Sequence, residues 1–325
     1  MKQKQKSPKP SSADRASVST LFSRLSVRKK FRLFPLLMIV GLVPLIIRLA
    51  MVESPEIIHR YVLSPVNTDF FSYYKSISFI VLTGLTAWVV LAGSLTGKQK
   101  LRKSSALLWQ QTWGPLVVLG VFTLLSTLFS AYRPVALAGF PDRYEGLWVW
   151  MGYLLLVFLT YQLIQFEEDT AVLVATLFVS AGFMSVLGIS QFLNSDLLQS
   201  SLGRWLIVPG SLHQYHEVLH FEFGRRTIYG TAYNPNNTGS YFAMMLPLAM
   251  AFYLWSEKKA WKIGFFLFTL LFFINWVGCR SRAGWMGGLA AILILMVMMR
   301  HQILARRREA SVLVIVLLLT GVAMN

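Results

Sequence analysis

The sequence predicts an all-α membrane protein, a polytopic bundle of about nine transmembrane helices. Hydrophobic residues make up 55% of the 325 residues, charged residues only 14%, and the mean hydropathy is +0.55. Soluble domains contain roughly 45–50% apolar and about 25% charged residues, so this chain has too few charges for a surface that faces water. Cys279 is the only cysteine, which excludes a disulfide scaffold and cysteine-based metal sites.

Apolar runs close to the ~20 residues needed to cross a bilayer define the predicted spans. The longest connection between these runs is an outer loop at about 194–237. The nine predicted spans are 34–52, 76–97, 113–131, 146–164, 171–193, 238–255, 262–279, 283–299 and a last one from about 311 to 325.

The distribution of Lys and Arg predicts the orientation. Residues 1–32 hold ten basic residues and one acidic residue, so we predict that 1–33 is a disordered, basic, cytoplasmic tail and that 34–325 is the transmembrane domain. With the tail inside, the inner segments hold 21 basic residues and the outer connections hold eight, as the positive-inside rule requires. Membrane orientation therefore accounts for the net charge of +17, and we expect no nucleic-acid partner.

A histidine-rich segment, 213–220 (HQYHEVLH), lies in the outer loop. On a helix, His213, His216 and His220 would share one face with Glu217 beside them, a set that could bind Zn²⁺. The spacing is not that of an HExxH zinc protease. We therefore expect no metal, and favour the alternative of a polar interfacial helix.

Paired arginines follow in the segment 225–239 (RRTIYGTAYNPNNTG), which leads directly into a predicted span. Arg225 and Arg226 precede hydroxyl and amide side chains that include Thr231, Asn234 and Asn236. Guanidinium groups match phosphate oxygens, and the free N–H groups of a helix start add positive potential. This corner therefore suits an anionic, hydroxyl-rich ligand.

The same segment also has a purely structural interpretation. Asn-Pro and Gly indicate a turn, and Asn236 or Asn237 is expected to cap a helix that begins near Thr238.

Three further arginines lie in short outer connections. Arg280 and Arg282 occupy the segment 278–285 (GCRSRAGW) between two apolar runs, and Arg143 lies in 141–146 (PDRYEG). Arginine in this setting is costly without an anion. The alternatives are lipid phosphates for Arg280 and Arg282 and the neighbouring carboxylates for Arg143.

These motifs, in this order and on the same predicted side, resemble the O-antigen ligase and polymerase family of bacterial membrane proteins. The motifs are PDRYEG, RxxxGTxxNPNNTGSY and SRAGW, each entering a span. The resemblance covers most of 34–325. It implies a helical, GT-C-like transferase outside the bacterial cytoplasmic membrane, with the N-terminus cytoplasmic. Such an enzyme passes a glycan from undecaprenyl pyrophosphate to a glycan, lipid or protein acceptor, without a metal or other cofactor.

The resemblance also implies roles for single residues. Arg143, Arg226 and Arg282 match motif arginines and would bind pyrophosphate, whereas Arg225 and Arg280 match less closely. The turn residues Asn234 and Asn236, with Thr231, would contact the glycan or shape the turn.

One departure from the family pattern concerns the catalytic base. The family carries a large outer loop with a histidine after a late span, and that loop would begin beyond Asn325. We therefore expect a chain that is incomplete at its C-terminus and binds the carrier without transferring the glycan. The family's histidine is not assigned to any histidine of this chain.

Two other functions compete with glycan transfer. A transporter or flippase of lipid-linked glycans would also bind pyrophosphate, but it predicts polar groups and broken helices at the membrane midplane. A non-catalytic membrane protein is the third possibility.

Overall fold

A computed structural model of the chain describes residues 31–62, 64–97, 100–217 and 219–324. Nearly all of the predicted tail lies outside these residues. The structure is mostly helical, with 73% of residues in helices, and includes one small sheet. The α-helices in chain order are α1 (Phe34–Gly41), α2 (Tyr73–Leu95), α3 (Ala106–Leu128), α4 (Arg133–Ala138), α5 (Leu147–Leu163), α6 (Glu167–Phe192), α7 (Ser201–Ile207), α8 (Pro235–Trp255), α9 (Lys259–Gly278), α10 (Arg282–Met298), α11 (Arg300–Ala305) and α12 (Arg307–Met324).

Shorter elements join the helices. The strands β1 (Ala50–Glu53) and β2 (Val66–Asp69) form an antiparallel hairpin in which Ala50 pairs with Asp69. Helix α3 includes a π-helical turn at Trp109–Trp113. Five 3₁₀ turns occupy Phe31–Leu33, Val43–Leu45, Glu56–Tyr61, Leu197–Gln199 and Gly210–Tyr215.

Four helices in the described part of the chain are long and apolar enough to cross a membrane. They are α2, α3, α6 and α9, and they correspond to the predicted spans 76–97, 113–131, 171–193 and 262–279. Helices α5 and α10 are also apolar, but each has only 17 residues. The expectation of a mostly helical chain with apolar helices long enough to cross a membrane is therefore confirmed, while nine spans and a GT-C-like arrangement stay predictions.

The predicted first span, 34–52, is not one helix. Helix α1 has eight residues and so is about 12 Å long, whereas the hydrocarbon core is about 30 Å thick. Pro44 follows in a 3₁₀ turn, where its missing N–H prevents a continued α-helix, and the chain then enters β1. The apolar character of this segment serves packing, because Leu36 and Ile39 are buried against α2 and α5.

Helix α8 packs closely against both α9 and α10. Phe242 and Leu246 of α8 are fully buried, as is Phe272 of α9. Gly239 of α8 faces Gly284 of α10 so closely that a Cβ on Gly284 would lie 2.8 Å from the Gly239 carbonyl carbon. Small residues at such a crossing let two membrane helices approach.

Side-chain contacts define two ends of the bundle. The basic end comprises residues 32, 102, 169, 262 and 306, where Arg32 pairs with Asp169 at 2.7 Å and Lys262 pairs with Glu309 at 2.6 Å. The loop end comprises the hairpin, the connections 139–146, 193–234 and 279–281, and the first turns of α8 and α10. All the predicted site residues lie at the loop end.

Candidate functional site

The loop that carries the predicted site is positioned by Gln191, near the end of α6. The buried Gln191 side-chain oxygen accepts hydrogen bonds from the N–H groups of Tyr229, at 3.1 Å, and Gly230, at 2.8 Å. Its side-chain nitrogen donates to the Gly230 carbonyl. Gly230 has φ +56°, and a Cβ there would lie 2.9 Å from the terminal methyl of Met184. One amide therefore satisfies the backbone of a tight, left-handed turn that only glycine fits well.

Thr231 connects this loop to α2 and to the turn after α1. Its buried hydroxyl donates to the Pro44 carbonyl at 2.6 Å, and its own carbonyl accepts a hydrogen bond from the Lys75 ammonium. Lys75 lies in the first turn of α2 and is half-buried. The sequence interpretation did not include Lys75 in the site. The available signal was a lysine beside an apolar span on the predicted outer side, where lysine is disfavoured.

A polar cavity of about 690 Å³ opens beside Lys75. Arg143 also lines it, as do the carboxylate residues Asp142 and Glu145. Asp142 accepts a 3.1 Å hydrogen bond from Asn67 of β2. The cavity thus combines two cations with two anions, a mixture that suits a ligand with both hydroxyl and anionic groups. Further lining residues are Thr231, Tyr233, Asn234, Asn237 and Tyr241.

Asn234 is the N-cap residue of helix α8. Its side-chain oxygen accepts from the Asn236 N–H at 2.8 Å, and Pro235 occupies the first helical position. The prediction that Asn236 or Asn237 caps this helix is therefore wrong. The helix starts earlier than expected because proline is well tolerated in a first turn.

Asn236 instead connects two helix starts. Its side-chain oxygen accepts a 2.7 Å hydrogen bond from the hydroxyl of Ser281, and that hydroxyl also accepts from the Gly284 N–H as the cap of α10. Arg282 is the first residue of α10 and is exposed. Two motifs that are 45 residues apart in the sequence are thus in direct contact.

Arg226 and Arg280 lie on another part of the loop end. The Arg226 guanidinium lies 4.6 Å from the centre of the Phe192 ring, and its backbone N–H donates to Asn194. Arg280 and Phe192 both line an apolar groove of about 400 Å³, together with Trp276, Trp285, Leu289 and Met324.

Both of these arginines have a left-handed backbone, with φ 55° at Arg226 and 52° at Arg280. Non-glycine residues adopt this conformation only when the surroundings hold them there. Arg225 is exposed.

The structure therefore places only some of the predicted site residues in these two neighbouring cavities, and Arg225, Arg226, Asn236 and Arg282 line neither of them. Arg143, Thr231 and Asn234 line the polar cavity, and Arg280 lines the apolar groove. The two regions are joined by the Asn236–Ser281 contact and by a backbone hydrogen bond of 2.9 Å from Ile228 to Gly278.

The histidine segment does not form the predicted helix. The 3₁₀ turn ends at Tyr215, and the rings of His213 and His216 stack with centres 5.5 Å apart. Glu217 approaches the His216 ring only at 3.8 Å. Among the residues that the structure describes, no three His, Cys, Asp or Glu side chains are grouped to hold a metal ion.

A hydrogen-bond network of Tyr229, Asp196 and Gln199 stabilises the outer loop. The Tyr229 hydroxyl donates to Asp196, which also accepts from Gln199 at 3.0 Å. Burial of Tyr229, reinforced by the hydrogen bond to the Asp196 carboxylate, raises its pKa above the ordinary value. Tyr229 therefore stays neutral and acts as a fixed donor.

Comparison of the chain with protein-family models, with curated proteins and with solved structures found no match.

Proposed function

We propose that the loop end binds a lipid-linked glycan and activates it for transfer, in the manner of the O-antigen ligases that the motifs resemble. The observation that carries this proposal is the juxtaposition of the polar cavity and the apolar groove across the Asn236–Ser281 contact. A lipid-linked glycan likewise has a polar part, the sugar and pyrophosphate, and an apolar part, a long hydrocarbon tail. The site would face the outside of a bacterial cytoplasmic membrane.

The polar cavity suits the glycan. Its amides, tyrosine hydroxyls and backbone carbonyls can donate to and accept from sugar hydroxyls. Lys75 and Arg143 add positive charge where the glycan meets the pyrophosphate. A half-buried cation is screened less by water than an exposed one, so Lys75 would contribute strongly to binding an anion.

The arginines support the chemistry of the leaving group. An acceptor hydroxyl would attack the anomeric carbon and give its proton to a base. The new glycosidic bond forms as the bond to the pyrophosphate oxygen breaks, and negative charge grows on that oxygen. Cations fixed at this point stabilise the transition state more than the ground state. We assign this role to Arg226 and Arg282, supported by Arg143 and Arg280.

Carriage of a lipid-linked glycan across the membrane is the second candidate function. One observation favours this function: the first apolar segment is interrupted between α1 and β1. In this interruption, the Pro44 carbonyl accepts a hydrogen bond from Thr231 of the site. Broken helices commonly line transport sites. Proteoliposomes distinguish the two functions, because a transporter moves a labelled carrier between leaflets without an acceptor.

The proposal is tested with the purified chain and undecaprenyl pyrophosphate, with undecaprenol as the probe that lacks the anion. We expect binding of the pyrophosphate and much weaker binding of the alcohol. Arg282→Ala should weaken binding of the pyrophosphate, and Arg282→Lys should restore only part of it, because an ammonium loses the planar two-point contact. Equal affinity for the two lipids, or affinity unchanged in both variants, would contradict the proposal.

A further inference from the structure

Helix α7 exposes large apolar side chains at the loop end. Leu202, Trp205 and Leu206 are 67%, 68% and 55% exposed. Their spacing of three and four residues places them on one face of the helix. In water such a patch would be unfavourable, because three large side chains leave much of their apolar surface exposed.

The opposite face of α7 is fixed to the protein. Ile207 is buried in a cluster with Leu198 and Phe221, and its carbonyl accepts a 2.8 Å hydrogen bond from the Leu49 N–H. Gly203 is also buried, and a Cβ there would lie 2.3 Å from the Leu197 carbonyl oxygen. The helix therefore cannot rotate to hide its exposed face.

The exposed face continues an apolar stripe of the preceding helix. Val179, Phe183 and Val186 of α6 are all more than half exposed, which is typical of side chains that contact lipid. Leu193 and Leu197, also exposed, follow before α7 begins. The surface that faces lipid along α6 thus extends along the chain to α7.

The length of α6 indicates where the exposed face of α7 lies relative to the bilayer. The helix has 26 residues, about 39 Å at 1.5 Å per residue, whereas the hydrocarbon core is about 30 Å thick. Its first turn carries Glu167, Glu168 and Asp169, which belong at one headgroup layer. The end of α6 at Phe192 then reaches the opposite headgroup layer, and α7 follows within ten residues.

We propose that α7 is an interfacial helix that inserts Leu202, Trp205 and Leu206 into the headgroup and upper acyl region of the bilayer at the loop end. Tryptophan and leucine on one face of a surface helix favour this position. Arg204 is partly buried beside Trp205, and in this position its guanidinium would contact lipid phosphates. The helix would hold the outer loop, and with it the polar cavity, at the membrane surface. Glycan transfer is not required for this arrangement.

The test uses single cysteines in a Cys279→Ala background, each labelled with an environment-sensitive fluorophore and reconstituted in bilayers. Positions 202 and 206 probe the patch, and position 214 is the control because Gln214 is exposed in a polar turn of the same loop. Lipids carry a nitroxide quencher either near the headgroup or near the end of the acyl chain.

We expect blue-shifted emission at 202 and 206, with a larger loss of signal from the headgroup-proximal quencher, and little loss at 214. Equal quenching at all three positions would overturn the proposal. Emission at 202 and 206 that is blue-shifted in detergent, insensitive to both quenchers and dependent on protein concentration would also overturn it, because a second copy of the chain would then cover the patch.

Discussion

The hydroxyl of Ser281 donates a 2.7 Å hydrogen bond to the side-chain oxygen of Asn236, and so joins the starts of α10 and α8. The same hydroxyl accepts from the Gly284 N–H. One small side chain therefore caps one helix and fixes the position of another. This contact, together with the backbone hydrogen bond from Ile228 to Gly278, joins the regions of the polar cavity and the apolar groove.

Replacing Ser281 should loosen the loop end. Ser281→Ala removes the cap and the link to Asn236, and we expect a loss of about 1–2 kcal/mol in stability. Ser240→Ala is the matched control, because the Ser240 hydroxyl bonds only to a carbonyl of its own helix. Thermal unfolding of the purified variants measures the effect. If the two variants unfold at the same temperature, the Ser281 hydroxyl does not contribute to stability through its cap or its hydrogen bond to Asn236.

The glycine contact between α8 and α10 gives a second prediction. Gly284→Ala should force the helices apart, because the new methyl group would lie 2.8 Å from the Gly239 backbone. Gly287→Ala lies one turn further along α10 and meets nothing within 4 Å. We expect a clearly lower unfolding temperature for Gly284→Ala alone. A tolerated Gly284→Ala would show that this crossing is not close in the membrane.

The sequence predicted the helical class and located four long spans, because an apolar run near 20 residues in length is a strong signal. The prediction of a span at 34–52 was wrong, because the apolar residues of this segment pack against α2 and α5 from a short helix. The sequence also placed the helix cap at Asn236 or Asn237 instead of Asn234. The sequence marked Lys75 only as a lysine beside an outer span, because the carbonyl that it contacts lies 156 residues away along the chain.

The amide of Gln191 should control the order of the site loop. Gln191→Leu leaves the N–H groups of Tyr229 and Gly230 buried without that acceptor, at a cost of about 1–3 kcal/mol for each unsatisfied group. Hydrogen exchange of peptides that cover 227–234 should accelerate. Gln214→Leu, in the exposed part of the outer loop, is the control and should leave exchange of this segment unchanged. If exchange of this segment stays slow in Gln191→Leu, contacts other than the Gln191 amide are sufficient to order the loop.

The predicted orientation is tested by cysteine labelling in the Cys279→Ala background. We expect a cysteine at Ser211, in the outer loop, to react with an impermeant reagent added to intact cells. A cysteine at Ser104, near the basic end, should react only after the membrane is opened. Reactivity at 104 in intact cells, or none at 211, would reverse or refute the orientation.

The most direct test of the proposed site is the affinity of a Lys75 variant for undecaprenyl pyrophosphate in bilayers. Lys75→Met keeps most of the length of the side chain but removes its charge, and Lys103→Met makes the same change at an exposed position near the basic end. We predict that Lys75→Met weakens binding at least several-fold while Lys103→Met binds as the unaltered chain does, with undecaprenol binding unchanged in both. Equal pyrophosphate affinity in the two variants would contradict the assignment of the polar cavity as the carrier site.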